Sequence, residues 1–318
     1  MPEDSLVSFV VIAYNEAENI ARTIISITAL AGLGKHEVIV VDDGSHDGTA
    51  QIVREIACQN PSVRLIDLAK NCGRGYARSS GIAAARGQLI ATVDADILLP
   101  PDWLSRAGSA LRDYDAVGGT AVPDGDVQYI YKRFRLAPRI VNGTTAVTGN
   151  NGLYRREVFD VVGFDPGLRE GEDSALNHAM RRRGLSSATV PGLLVLHQEN
   201  KSLGASLRWL FDIGRGATRQ LFTCHEVRQP DVVTGVFVGA LALGIVAVAL
   251  GQPFLGGALP ICLVLAASMQ HVRSRFETPV SQWLRVVPAV VVHSALLAAY
   301  FAGRLAGLTV VWRRAQPN

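Results

Sequence analysis

The sequence predicts an α/β protein with a mostly parallel sheet and helices on both faces, followed by C-terminal transmembrane helices. Three observations predict it. Over the first hundred residues, short runs rich in Val and Ile alternate with stretches of helical periodicity. Several of those runs end in a polar loop that carries carboxylates. Residues 232–269 contain no Asp, Glu, Lys, Arg or His, which is long enough for two membrane spans of about 20 residues each.

In chain order, "VSFVVIAY" (7–14) is a buried-strand run, and Asn15 with Glu18 three residues on predicts a helix start. Ile20, Ile24 and Ile27 then recur at helical spacing. "EVIVV" (37–41) predicts a second strand, closed by "DDGSHDGT" and followed by a helix through "AQIVREIA". "VRLIDL" (63–68), a helix through "GYARSSGIAAARG", and "QLIATV" (88–93) repeat the alternation. Residues 115–230 alternate less cleanly and read as the acceptor side of the same domain, 1–230. The membrane domain is 231–318, with spans expected at about 232–250, 254–270 and 286–308 and "GQP" (251–253) as the first turn. Arg219 and Arg228 before the first span, and Arg273, Arg275 and Arg285 after the second, put both flanks on the cytoplasmic side. Arg313 and Arg314 conflict with a simple third crossing. The last apolar run either crosses with a basic exterior end or bends at Arg304 and lies partly in the interface.

Composition excludes some classes. The net charge is +3, and the only lysines are Lys35, Lys70, Lys132 and Lys201. No basic tract is interleaved with aromatics, so no nucleic-acid partner is expected. Cys58, Cys72, Cys224 and Cys262 lack the paired spacing of zinc ligands or a disulfide framework, which suits a reducing cytosol. Glu3 and Asp4 precede the first strand without a basic segment, so no cleavable signal peptide is expected.

The loops "AYNE", "DDGS" and "DAD" fall at strand carboxyl ends, the edge where open α/β sheets bind ligands. Each alone is ordinary turn chemistry. Position changes the reading of "LIATVDADILLPPDW". Asp94 and Asp96 are i and i+2 at a strand end, where side chains point the same way and repel unless something is shared between them. A hard divalent cation bridging to a diphosphate would relieve that repulsion.

The segments "VVIAYNEAENI", "VIVVDDGSHDGT", "NCGRGYARSSGIAAARGQLIATVDAD", "TGNNGLYRREVF", "GFD" and "GEDSALNHAMRRRG" together resemble the family 2 glycosyltransferases of the GT-A fold, in order and spacing, over roughly two thirds of the chain. The resemblance implies that Tyr14, Glu16 and one of Asp42 and Asp43 hold the nucleoside, with Arg78 near the donor phosphates. It further implies that Asp94 contacts the ribose or nucleotide, Asp96 binds Mn²⁺ or Mg²⁺, His197 adds a metal or diphosphate contact, and Asp173 is the general base. A cation would neutralise charge on the leaving diphosphate, and a carboxylate would take the acceptor's proton in a single inverting displacement.

The chain departs from the family in carrying Ile12 where Pro is common. Arg208 and Trp209 suggest the Gln-Xaa-Xaa-Arg-Trp motif of processive synthases, yet Ala205 stands where that motif has Gln, which implies a non-processive enzyme. "LRWLFDIGRGATR" and the apolar helices after it resemble membrane-attached transferases of bacterial exopolysaccharide assembly, of the succinoglycan type. That resemblance implies a nucleotide-sugar donor, in expectation a UDP-sugar, a lipid-linked glycan acceptor, and a membrane setting with the catalytic domain cytoplasmic. Two alternatives stand: a polyprenyl-phosphate sugar synthase, and a catalytically silent membrane scaffold. The run Arg181, Arg182, Arg183 reads as a solvated helix end, with a lipid-phosphate contact as the alternative. His293 reads as a neutral, hydrogen-bonded histidine, and Arg215 as either a phosphate clamp or a headgroup anchor.

Overall fold

The computed structural model describes residues 5–123, 146–198, 202–224, 227, 229–274 and 283–315. Glu3, Asp4, Lys132, Lys201, Arg228 and Arg275 lie outside the described residues, as do the side chains of Cys224, Arg285, Arg313 and Arg314. The chain divides into two compact units, Met1–Asp124 with Ile140–Glu199, and Gly125–Arg139 with Asn200–Asn318.

The first unit is an eight-stranded sheet of order β3-β2-β1-β4-β7-β6-β8-β5. Its strands are β1 (Val7–Ala13), β2 (His36–Asp42), β3 (Val63–Asp67), β4 (Leu89–Asp94), β5 (Ile97–Leu98), β6 (Ala116–Pro123), β7 (Asn151–Arg155) and β8 (Ser187–His197). β3, β2, β1 and β4 run parallel, and β7 is antiparallel to both β4 and β6. Every residue of β1 is buried, as expected for a central parallel strand covered on both faces. Its side chains alternate between two cores. Val7, Phe9 and Val11 join Val38, Val40 and Val93 under α1 (Ile20–Thr28), α2 (Thr49–Gln59) and α4 (Trp103–Ala110). Val10 and Ile12 join Ile39, Val41 and Ile90 under α3 (Arg74–Ala84). At roughly 25 cal/mol per Å² of apolar surface removed from water, this two-faced burial is the main force holding the strands in register. That register aligns Ala13 with Asp42 and Ile12 with Asp94, so three strands end side by side.

The expected helix start at Asn15 falls elsewhere. Asn15 adopts φ 55°, and α1 begins at Ile20. A left-handed residue cannot open a right-handed helix; its side chain instead accepts the His46 N–H at 2.9 Å, tying the β1 loop to the β2 loop. Among the described residues the unit has two further helices, α5 (Glu157–Val161) and α6 (Glu172–Arg182). Arg181 and Arg182 close the last turn of α6, where positive charge complements the helix dipole, and both are exposed.

The second unit holds α7 (Leu203–Cys224), α8 (Gln229–Ala249), α9 (Pro253–Arg273) and α10 (Trp283–Ala315). It therefore includes α7, which the sequence had assigned to the first domain. Asp231–Ala249, Pro253–Arg273 and Val286–Thr309 are long and apolar enough to cross a membrane. Gly244 and Gly256 bring α8 and α9 together: a Cβ on Gly244 would lie 2.5 Å from the Gly256 carbonyl oxygen. α10 continues as one helix through Arg304, whose guanidinium pairs with Asp231, the two side chains each 2% exposed. His293 Nδ1 lies 3.1 Å from the Ser268 hydroxyl, and its ring stacks on His271 at 4.1 Å.

Candidate active site

The carboxyl edge of the sheet is built by three loops that hold one another. After β1, the Asn15 N–H donates to Ser45, the Glu16 N–H to Thr49 and the Ala17 N–H to Asp47, so the first loop hangs from the second. Tyr14 stands at the head of this loop, 45% exposed, and Glu16 accepts a bond from Asn19. Ser45, Asp47 and Thr49 were not singled out from the sequence. Their signal was the "DDGSHDGT" run itself, in which side-chain acceptors recur at turn spacing.

The pair Asp42 and Asp43 divides its work. Asp43 accepts the N–H groups of Cys72 and Gly73 at 2.6 and 2.8 Å, one on each oxygen, anchoring the chain entering α3. Gly73 has φ 96°, and a Cβ there would meet the Arg169 backbone at 2.7 Å, so the approach requires glycine. Asp42 is 1% exposed, and only one of its oxygens is used, by the Ser45 hydroxyl; Oδ2 is buried without a hydrogen-bond partner. Burial pushes the Asp42 carboxyl above its ordinary range, and the bond from Ser45 only partly offsets this.

The acid pair Asp94 and Asp96 takes two different side-chain partners. β4 ends at Asp94 and the chain turns through Ala95 and Asp96, which breaks the strand alternation behind the expectation of a shared direction. Asp94 accepts a bond from Arg78 Nη2 at 2.5 Å. Asp96 Oδ2 lies 2.8 Å from His197 Nε2 because β5, just after Asp96, pairs antiparallel with β8 and sets Ile97 opposite His197. Asp96 and His197, 101 positions apart, thus form a carboxylate–imidazole pair. Among the described residues no group of three or more His, Cys, Asp or Glu side chains is placed to hold a metal ion.

Arg78, which the resemblance places near the donor phosphates, is held by two carboxylates of the protein. It is 2% exposed and pinned between Asp94 and Glu172, with its Nε unbonded, so both carboxylates take up its charge. Gly149 packs flat on the guanidinium, where a Cβ would lie 2.6 Å from Cζ. Burial opposes the charge on Arg78, but Asp94, Glu172 and Asp173 outweigh it and raise its pKa. Burial raises the Glu172 pKa in turn, against the pull of Arg78. The next residue, Asp173, is half-buried, accepts the Ser174 N–H at 2.6 Å and lies 3.5 Å from the Gly149 N–H. Glu172, directly before Asp173, is the residue that ties α6 to the end of β4 through Arg78.

Sheet order, parallel register and a loaded carboxyl edge define a GT-A-like α/β protein. A mannosyltransferase from Pyrobaculum calidifontis, solved in complex with GDP-Man and Mn²⁺, superposes with a TM-score of 0.60 at 21% identity, covering 95% of this chain and 86% of that one. GalNAc-T7, solved with UDP, GalNAc and Mn²⁺, gives 0.50 at 20% identity over 62% of this chain and 44% of that one. At such identities the likeness speaks for the fold alone.

Residues 8–164 match Glycosyl transferase family 2 and form a domain of that family. The succinoglycan biosynthesis protein ExoO of Rhizobium meliloti (strain 1021) is 46% identical over 226 residues, 64% of this chain and 63% of that protein. An undecaprenyl-phosphate 4-deoxy-4-formamido-L-arabinose transferase of Aeromonas hydrophila is 31% identical over 166 residues, 49% of this chain and 51% of that protein. The matches therefore span between half and two thirds of these relatives' own lengths.

Proposed function

We propose that this chain is an inverting, non-processive glycosyltransferase that moves a sugar from a nucleotide-sugar, in expectation a UDP-sugar, to a lipid-linked glycan acceptor in cell-surface polysaccharide synthesis. The observation that carries the reading is the Asp94–Arg78–Glu172 linkage, which sets Asp173 beside the strand end where the donor loops gather. The buried, unpartnered Oδ2 of Asp42 suits a ring N–H or ribose hydroxyl of the nucleoside, and the exposed Tyr14 ring offers a stacking face.

Asp96 and His197 fit a divalent cation. An oxygen and a nitrogen donor, each largely shielded, would leave the remaining positions to diphosphate and water, the usual arrangement for ions bound with substrate phosphates. Mn²⁺ or Mg²⁺ there would neutralise the departing diphosphate. Asp173 keeps contact with solvent; the Ser174 N–H takes its Oδ1 at 2.6 Å, while Oδ2 meets only the Gly149 N–H at 3.5 Å and is left able to take the acceptor hydroxyl's proton. Glu172 is spent on Arg78 and holds Asp173 in place. The α8–α9 pair would anchor the chain in the cell membrane, with the catalytic unit cytoplasmic.

A second reading, transfer directly to polyprenyl phosphate, is favoured by the likeness to the arabinose transferase. The test is to incubate membranes containing the protein with a panel of radiolabelled sugar nucleotides, with Mn²⁺ or with chelator, and to analyse the lipid extract. Label in a diphosphate-linked glycan, lost in chelator, is expected. Label in a monophosphate-linked sugar supports the second reading, full transfer in chelator removes the metal role, and no label with any donor favours a silent scaffold.

A further inference from the structure

α10 is apolar and long enough to cross a membrane, yet its contacts run in the wrong direction for a third crossing. α8 and α9 form an antiparallel pair meeting at Gly244 and Gly256 around a turn at Gly251, φ 78°. Thirteen residues separate Gly244 from Asp231, and twelve separate Gly256 from Ser268, so Asp231 and Ser268 lie at the same end of the hairpin. α10 touches both. His293 lies against Ser268 and His271, and Arg304 pairs with Asp231. These two α10 residues are eleven positions apart, about 16 Å along a helix axis at 1.5 Å per residue. Were α10 to run up the hairpin, Arg304 would be carried about that distance away from the level of Asp231, beyond the reach of an arginine side chain. The contact is made, so α10 runs across the base of the hairpin.

α7 supports the same conclusion independently. Leu203, Leu207 and Leu210 pack against the cluster of Val272, Ala289, Val290 and Leu296. Further along, a Cβ on Gly303 would meet the Phe211 carbonyl oxygen at 1.9 Å, one on Gly307 would meet that of Arg215 at 2.8 Å, and the Thr218 hydroxyl donates to the Arg304 carbonyl at 2.8 Å. Early residues of α7 meet early residues of α10 and late meet late, so the helices lie parallel, backbone to backbone. Arg208, Asp212, Arg215 and Arg219 fall on one stripe of α7 at spacings of four, three and four, and Arg215 and Asp212 pair while each remains over 40% exposed. A helix with such a stripe lies at the membrane surface, because the hydrocarbon interior excludes its charges. Held along α7, α10 shares that plane. Its exposed side is apolar, with Val287, Val291, Leu305 and Leu308 between 38% and 60% exposed on one stripe.

We infer that α7 and α10 form an interfacial platform for the lipid surface: only α8 and α9 cross, and the apolar stripe of α10 dips toward the acyl chains. The charged stripe of α7 meets the phosphate headgroups, and Arg304 with Asp231 locks the platform to the hairpin. Arg313 and Arg314, which follow the apolar part of α10, then fall on the side from which α8 enters and need not traverse the bilayer. The inference rests on the α8–α9 hairpin crossing and is independent of the transfer reaction.

The test uses full-length chains carrying single cysteines: the exposed Cys58 alone, Gln252→Cys, or Asn318→Cys, with the other cysteines replaced by Ser. Sealed vesicles of known orientation are treated with an impermeant maleimide. Asn318→Cys is expected to react from the same face as Cys58, and Gln252→Cys from the opposite face. Reaction of Asn318→Cys from the face of Gln252→Cys overturns the inference, and so does reaction of all three from one face, which would remove the crossing hairpin. As a second readout, spin labels on Val287→Cys and Leu305→Cys are expected to report similar shallow depths. Eighteen positions along a crossing helix would separate them by about 27 Å, and depths that differ by most of that span overturn the inference as well.

Discussion

Among the described residues, two arginines are withdrawn from water, one in each unit, and they differ in what surrounds them. Arg78, in the sheet unit, faces Asp94 and Glu172, with Asp173 one residue beyond. Arg304, in the helical unit, faces Asp231 and leaves Nε and Nη1 without hydrogen bonds. The first cluster has more negative than positive groups, a surplus with a use where a cation, a phosphate and a proton must be handled. The second is a single pair that cancels in apolar surroundings, which suits a lock between helices. On the function proposed above, buried charge would serve chemistry in one unit and architecture in the other.

The sharpest way to break that contrast is to remove one charge from each cluster and ask what is lost. Asp173→Asn is expected to lower kcat about 10²- to 10⁴-fold, the usual contribution of a positioned acid or base, with nucleotide affinity and thermal stability nearly unchanged. Transfer assays with titration of bound nucleotide would check it. A variant with normal kcat would move the base elsewhere. Glu172→Gln is expected to act through Arg78 and to lower kcat less, with an altered pH–rate profile as its signature.

In the helical unit the expected outcome is reversed. Arg304→Leu alone strands Asp231 and is expected to cost about 3 to 5 kcal/mol of stability, whereas Arg304→Leu with Asp231→Leu is expected to be close to neutral. Thermal unfolding in detergent of the two singles and the double measures the coupling. If the double variant were as unstable as the singles, the pair would not be the lock. If the double unfolded normally yet lost transfer, the line between the two units would blur.

Within the donor edge, Asp42 and Asp43 offer a finer comparison. Asp43→Asn keeps one of two acceptors for the Cys72 and Gly73 N–H groups and is expected to cost about 1 to 3 kcal/mol of stability. Asp42→Asn relieves a buried carboxyl and is expected to leave stability unchanged while weakening nucleotide binding. Because burial raises the Asp42 pKa, the wild type is expected to lose nucleotide affinity on acidification earlier than an ordinary carboxylate would allow. Calorimetric titration across pH checks this. Equal affinities for Asp42→Asn and the wild type at all pH values would remove Asp42 from the site.

Much of the sheet was legible because β1, β2 and β4 are continuous apolar runs closed by polar loops, and a central parallel strand must look like that. Loop conformation was less so. The helix start at Asn15 was misplaced because αL backbone leaves little trace in residue type, and Asn favours caps and αL positions alike. Strand alternation does not extend from Asp94 to Asp96 as expected from the sequence, because β4 ends at Asp94 and Asp96 lies in the turn beyond it. The partners of Arg78, Asp96 and Arg304 lie 94, 101 and 73 positions away in sequence, and tertiary pairing over such distances is not encoded in local spacing. The topology of the last helix was left open for the same reason, since apolar length is shared by spans and platforms.

The smallest effect expected is at Glu37, which tests whether a buried charge that pairs with neither arginine belongs with architecture. Glu37 sits on β2, 9% exposed, where the Ser8 hydroxyl donates to it at 2.6 Å, the Arg86 N–H at 2.7 Å and Arg64 at 3.0 Å. Burial pushes its carboxyl up, but these donors together outweigh burial and hold its pKa below the ordinary value. A carboxyl whose folded pKa is depressed contributes stability that is present above its unfolded pKa and is lost as pH falls through the folded value. Glu37→Gln is therefore expected to destabilise the protein by about 1 kcal/mol near neutrality, because glutamine keeps an acceptor for Ser8 or Arg86 but gives up the charge facing Arg64. The gap between variant and wild type should close on acidification below the ordinary carboxylate range, since both side chains are then neutral. Thermal unfolding from pH 7 downward measures it, and a gap that stayed constant with pH would mean that Glu37 acts through shape and hydrogen bonding rather than through its charge.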